Sequence, residues 1–102
     1  MAMLHTINKS PFERNSLASC LRLARDGGSV LLIEDGVYAA TKGTKVADQV
    51  TAAMGRMKFY VLGPDMKARG ISEDKILDGI QVVDYGGFVD LVAEHDNVQS
   101  WL

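Results

Sequence analysis

Ser29-Val30-Leu31-Leu32-Ile33 is the longest unbroken run dominated by aliphatic residues in the chain, opened by Gly27-Gly28 and stopped by Glu34-Asp35-Gly36. Nothing polar alternates through Val30–Ile33, so neither side of an extended segment there is built to meet water. Such a run suits a central strand of a parallel sheet with helices over both faces. Its carboxyl end carries Glu34 and Asp35. Ligands and partner chains of open α/β sheets gather along that edge, which makes it the first place to expect function.

The chain has 102 residues, enough for a single domain spanning 1–102, with 47% hydrophobic and 24% charged residues. A domain of this size buries roughly 60–70% of its unfolded surface, so a partner covering leftover apolar surface would add appreciably to a small margin. The net charge is −2 and the eleven Lys and Arg are scattered, which leaves no basic field for a phosphate backbone and argues against direct nucleic-acid binding. No apolar stretch approaches the roughly 20 residues of a membrane span, and the N-terminus lacks a signal-peptide core, so no membrane association and a cytoplasmic location are expected. A single cysteine, Cys20, excludes an intramolecular disulfide and any Cys-x-x-Cys motif. Together with two distant histidines it makes a poor metal set, and no cofactor is expected.

Met3–Ile7 reads as a first strand ended by the turn-forming Asn8-Lys9-Ser10-Pro11. Ser10-Pro11 opens a helix that becomes regular near Asn15 or Ser16. Its Leu17, Cys20, Leu21 and Ala24 follow i, i+3, i+4, i+7 and face the sheet. Asp26-Gly27-Gly28 returns the chain to the buried strand, completing a right-handed βαβ unit. Further on, Gly36–Ala40 reads as a short helix capped by Asp35, and Val46–Met57 carries weak helical spacing. Lys58–Leu62 is a third strand, Met66–Arg69 a short helix, Ile71–Gly79 a polar loop and Gln81–Asp84 a fourth strand. In the last helix, Phe88–Glu94, the residues Phe88, Val89, Leu91 and Val92 are expected to face inward. The tail, Asn97–Leu102, either packs as an edge strand or docks on another subunit. Together these elements predict an α/β fold, a three-layer α/β/α sandwich around a central, mainly parallel sheet of four to five strands.

Met3–Pro11, the Leu32-Ile33-Glu34-Asp35-Gly36-Val37 block with Ala39-Ala40, and Asp84-Tyr85 before a terminal helix together resemble the DsrH/TusB family of intracellular sulfur-relay subunits. The resemblance runs from the first strand to Trp101. It implies a cytoplasmic heterohexamer with DsrE/TusD-like and DsrF/TusC-like subunits, which passes persulfide sulfur between protein cysteines toward a DsrC/TusE-like acceptor. A cysteine in the first helix is typical of the branch that oxidises intracellular sulfur. Cys20 stands there, so sulfur oxidation is the expected pathway. The alternatives are the same complex serving tRNA wobble-uridine 2-thiolation, and a non-catalytic structural or docking subunit.

A relay cysteine must be reachable and partly ionised, and a free thiol with a pKa of about 8.5 is only a few per cent thiolate at pH 7. Cys20 is the one candidate catalytic residue. Its neighbours a turn away, Ser16, Leu17, Leu23 and Ala24, include no cation, and its place on the apolar stripe also fits a small buried hydrophobe. An activating charge would have to come from elsewhere. His5 can be considered as a base for Cys20 or as a hydrogen-bonded core histidine. His95 suits the end of the last helix as a dipole partner. Asp35 suits an N-cap or a polar interface contact, and Glu34 and Asp35, being adjacent, need not converge as an acid/base pair. Gly86-Gly87 reads as a turn. A phosphate-binding domain, resting on that turn alone, is a third reading.

Overall fold

The computed structural model describes residues 3–101, which form one five-stranded sheet with helices on both faces. The elements in chain order are β1 (Met3–Ile7), α1 (Ser16–Leu23), β2 (Ser29–Leu32), a 3-10 helix (Glu34–Ala40) and α2 (Ala47–Ala53). They continue with β3 (Lys58–Leu62), α3 (Gly63–Ala68), a 3-10 turn (Glu73–Lys75), β4 (Gln81–Val83), α4 (Tyr85–Glu94) and β5 (Asn97–Trp101). The strand order is β4-β3-β2-β1-β5, and every pair is parallel. The aliphatic run is therefore the middle strand. Its alternate side chains serve two cores: Val30 and Leu32 join the larger one with Ile7, Leu17, Cys20, Phe59 and Val61, while Leu31 joins a smaller one with Leu4 and Leu91. That is why no polar residue interrupts it.

The two faces are covered unequally. The larger core lies under α1, the 3-10 helix and α2 and draws in Met66, Ile71, Ile76 and Ile80. Ile71–Gly79, expected as a polar loop, thus contributes apolar anchors and a bridge between Thr41 and Ile76. On the other face α4 stands alone over Leu4 and Leu31. Tail residues Asn97–Trp101 take the edge-strand option, in register from Met3–Asn97 to Ile7–Trp101, and Leu102 lies outside the described residues.

Four local expectations change. Ser10 caps a turn rather than the helix: its Oγ accepts from Phe12 N at 3.2 Å and its carbonyl from Glu13 and Arg14, so α1 begins at Ser16. The helix expected at Met66 begins earlier, at Gly63, with Pro64 in its first turn. Asp35 is not an N-cap but the second residue of the 3-10 helix. In α4 only Leu91 is buried and Phe88 half-buried, whereas Val89 and Val92 are exposed. A helix apolar around more than half its circumference does not say which arc meets the sheet, and a single helix on an open face contacts it through a narrow line.

Candidate functional site

Cys20 sits on α1 with its side chain in the larger core, fully buried beside Leu17 and Leu21. Burial pushes its thiol up to about 11, with the Arg56 guanidinium pulling the other way. At that value about one thiol in 10⁴ is ionised at pH 7. The cation missing from the local sequence thus arrives from beyond α2, where Arg56 closes the carboxyl end of α1. Its Nη2 donates to the Leu21 carbonyl, its Nη1 to the Ala24 carbonyl at 3.0 Å, and it pairs with Asp26 at 3.4 Å. These are carbonyls that every helix leaves without a partner at its end. No periodicity could have flagged this arginine, 32 residues away from Ala24.

His5 does not join Cys20. The Trp101 indole Nε1–H donates to His5 Nδ1 at 3.0 Å, and burial holds the imidazole below its ordinary value, which keeps Nδ1 an acceptor. The pair ties β5 to β1 on the face that carries α1. His95 does more than complement a helix dipole. Its Nδ1 lies 2.6 Å from the Leu91 carbonyl, which only accepts, so Nδ1 carries the hydrogen, and Nε2 meets Ser29 Oγ at 2.9 Å. It fastens the end of α4 to the start of β2.

At the carboxyl edge Glu34 adopts a left-handed conformation (φ 48°), and its N–H donates to Asp65 Oδ2 at 2.7 Å. Arg69 Nε donates to Asp35 Oδ1 at 2.9 Å and its Nη1 to the Asp65 carbonyl at 3.1 Å. Asp35 is thus engaged through its carboxylate by Arg69, at the end of α3, and Glu34 through its backbone N–H by Asp65. The 3-10 helix also presses on the end of β1, since a Cβ at Gly36 would lie 2.1 Å from the Ile7 carbonyl oxygen. The chain's own groups therefore occupy several polar positions along this edge. A cavity of about 270 Å³ lies at the opposite, amino edge, between Met3, His5, Leu23, Arg25, Gly28 and Asn97. Gly87 N–H donates to the Asp84 carboxylate at 2.8 Å. A protein anion thus occupies the place that a phosphate would need, and the phosphate-binding reading loses its argument. Among the described residues no group of His, Cys, Asp and Glu is disposed to hold a metal ion, and no helix is long and apolar enough to cross a membrane.

The site that emerges is one buried thiol within the electrostatic reach of Arg56, on a fold whose carboxyl edge is held by Asp65 and Arg69. Similar proteins share that fold along its whole length. The ychN protein of E. coli superposes with a TM-score of 0.81 at 20% identity over 98% of each chain. MTH1491 of Methanobacterium thermoautotrophicum, described as of unknown function, gives 0.78 at 20% identity over 96% of this chain and 97% of that one. Closer in sequence are proteins named TusB. The one from Shigella flexneri is 37% identical, and those from Pectobacterium parmentieri and Escherichia coli K12 are 36% identical, each over 99 residues that cover 97% of this chain and all of the relative. Residues 9–98 match the family described as DsrH like protein. The match spans everything from the first turn to β5, and the chain belongs to the DsrH-like protein family.

Proposed function

We propose that this chain is a subunit of a cytoplasmic sulfur-relay complex, assembled with DsrE/TusD-like and DsrF/TusC-like subunits, that hands persulfide sulfur toward a DsrC/TusE-like acceptor. Within it the chain serves chiefly as a structural and docking subunit. The observation that carries this choice is the state of Cys20: the only cysteine of the chain is fully buried, with its pKa pushed up to about 11. A carrier thiolate must attack the terminal sulfur of a donor persulfide, forming one S–S bond while the donor's S–S bond breaks and its thiolate leaves. A sealed, neutral thiol does neither. The expectation of sulfur oxidation leaned on that same cysteine. With it buried and the relatives named TusB, tRNA wobble-uridine 2-thiolation is the better supported destination.

A carrier role for Cys20 has one observation in its favour, the Arg56 charge that lowers its pKa. Intact-protein mass spectrometry of the co-purified complex after treatment with a persulfide donor separates the two. Under the docking reading a partner gains sulfur, this chain stays bare, and Cys20→Ser leaves transfer intact. An added sulfur atom on the wild-type chain, absent from Cys20→Ser and removed by an acceptor thiol, would establish the carrier instead. Loss of 2-thiouridine from tRNA in a strain lacking this chain tests the destination.

A further inference from the structure

The cavity at the amino edge is built around a donor that the fold does not use. His5 is 4% exposed and lies on the α1 side of the sheet, because its neighbour Leu4 packs with Leu31 and Leu91 under α4 and side chains alternate along a strand. Its Nδ1 accepts from the Trp101 indole, so the neutral ring carries its hydrogen on Nε2. Nε2–H meets no acceptor among the described residues, and unlike Asn8 Oδ1 and Thr44 Oγ1 it is not sealed from the outside. The ring edge away from Trp101 faces Gly28, where an added Cβ would lie 3.7 Å from His5 Cδ2, and both residues line the cavity of about 270 Å³. A donor this deeply placed is costly to leave without a partner. The remaining lining divides by chemistry. Met3 and Leu23, the latter 64% exposed, supply an apolar wall. Of the two charged residues, Asp26 is paired with Arg56 at 3.4 Å, and Arg56 also takes the Leu21 and Ala24 carbonyls at the end of α1. Arg25 is exposed, and its guanidinium has no partner among the described residues. Asn97, in register with Met3 at the start of β5, adds an amide.

We propose that this cavity is a binding site for a small aliphatic carboxylate, whose oxygens accept from His5 Nε2–H and from Arg25 while its hydrocarbon lies against Leu23 and Met3. The class follows from the lining. With Asp26 engaged by Arg56, the free charge is that of Arg25, and a carboxylate matches both a ring N–H and a guanidinium. The volume of about 270 Å³ falls just under the roughly 300–1,000 Å³ of sites for drug-sized ligands, so the occupant is small. The apolar wall favours an acid with a few carbons over a bare inorganic anion. Cys20 does not line the cavity, so the site stands whether or not the relay reading holds. An anion on Nε2 polarises the ring whose Nδ1 holds the Trp101 indole, and the chain's one tryptophan thereby reports on the cavity.

The test titrates isovalerate into the isotope-labelled chain and follows the His5 ring nitrogens and the Trp101 indole N–H by NMR. A saturable shift of both is expected, with the amide of Gly63, on the far edge of the sheet, unmoved. Isovaleramide, which has the same shape without the charge, should bind at least about tenfold more weakly. Isovalerate should lose at least about tenfold in affinity for Arg25→Glu, a substitution at an exposed position. If Arg25→Glu fails to fold, the comparison of acid with amide decides alone. No saturable shift up to about 50 mM isovalerate would leave Nε2–H to solvent and overturn the proposal. Equal binding of acid and amide would make the cavity a merely apolar one and overturn the carboxylate. Undiminished affinity in a folded Arg25→Glu would place the anion elsewhere and overturn the site.

Discussion

The burial of Cys20 sets a reaction rate that can be measured. Alkylating and disulfide reagents consume the thiolate, so the rate follows the ionised fraction and the access of the sulfur. With the thiol pushed up to about 11, roughly one in 10⁴ is ionised at pH 7, against a few per cent for an ordinary free thiol of pKa about 8.5. Ionisation alone slows labelling about 300-fold. Access lowers it further, because Cys20 shows no exposed surface. The assay is iodoacetamide labelling followed by mass, in native buffer and in urea, from pH 7 to pH 10. Labelling should be at least 300-fold slower in the native chain at pH 7. It should then climb about tenfold per pH unit without levelling near pH 8.5. Replacing Arg56 by Met removes the charge that lowers this pKa and moves the native titration higher, while freeing the carbonyls of Leu21 and Ala24 makes α1 open more often. Equal rates in buffer and urea with a plateau near pH 8.5 would show an open, ordinary thiol and refute the reasoning.

Four other perturbations test the frame around it. Trp101→Phe leaves His5 Nδ1 without its donor and should cost about 1–2 kcal/mol in urea unfolding; an unchanged midpoint would mean that the bond contributes nothing. The folded-state pKa of His5 is held below 6.5, so its contribution to stability is fully present above about pH 6.5 and is lost as pH falls through the folded value. Denaturant titrations at pH 7, 6 and 5 should show that loss in the wild type and a flatter profile in His5→Gln. Gly36→Ala drives a Cβ to 2.1 Å from the Ile7 oxygen and should cost about 3 kcal/mol or more, the 3-10 helix having to lift off β1; a loss under about 1 kcal/mol would contradict the close approach. Asp84→Ala removes the carboxylate that accepts from Gly87 N–H and should lower stability by about 1 kcal/mol, with the helical signal of α4 fraying first; no change would assign that N–H to water.

What was legible in the sequence is what neighbours along the chain decide. The unbroken Val30–Ile33 run could only be a strand covered on both faces, and it is the middle one. The Leu17–Cys20–Leu21 spacing placed one helical stripe correctly, because α1 has a single apolar arc. In α4 the rule gave too much: apolar residues occupy adjoining arcs, and only packing chooses between the Phe88–Leu91 line and the Val89–Val92 flank. Contacts made across long separations left no local trace. Asp35 looked like a cap, but the carboxylate that receives the Glu34 N–H is that of Asp65, 31 residues on. The charge near Cys20 comes from Arg56, and the partner of His5 is Trp101, 96 residues away.

The unequal faces of the sheet connect stability with function. Under α1, the 3-10 helix and α2 the chain buries its large aliphatic side chains together with its one sulfur nucleophile, and at the carboxyl edge Asp65 and Arg69 satisfy the groups that a ligand would otherwise engage. On the α4 side the opposite holds: one helix leaves Tyr85, Val89 and Val92 in water beside an edge strand without charges or prolines. For a domain of this size, whose stability margin is small, apolar surface left in water is a standing cost that association can recover. If the chain acts by binding, substitutions on the two sides must separate. Cys20→Ser changes the core and should spare both assembly and sulfur transfer. Val89→Asp, at a side chain 66% exposed, leaves the core untouched, so a loss of transfer there with the fold intact would report lost association.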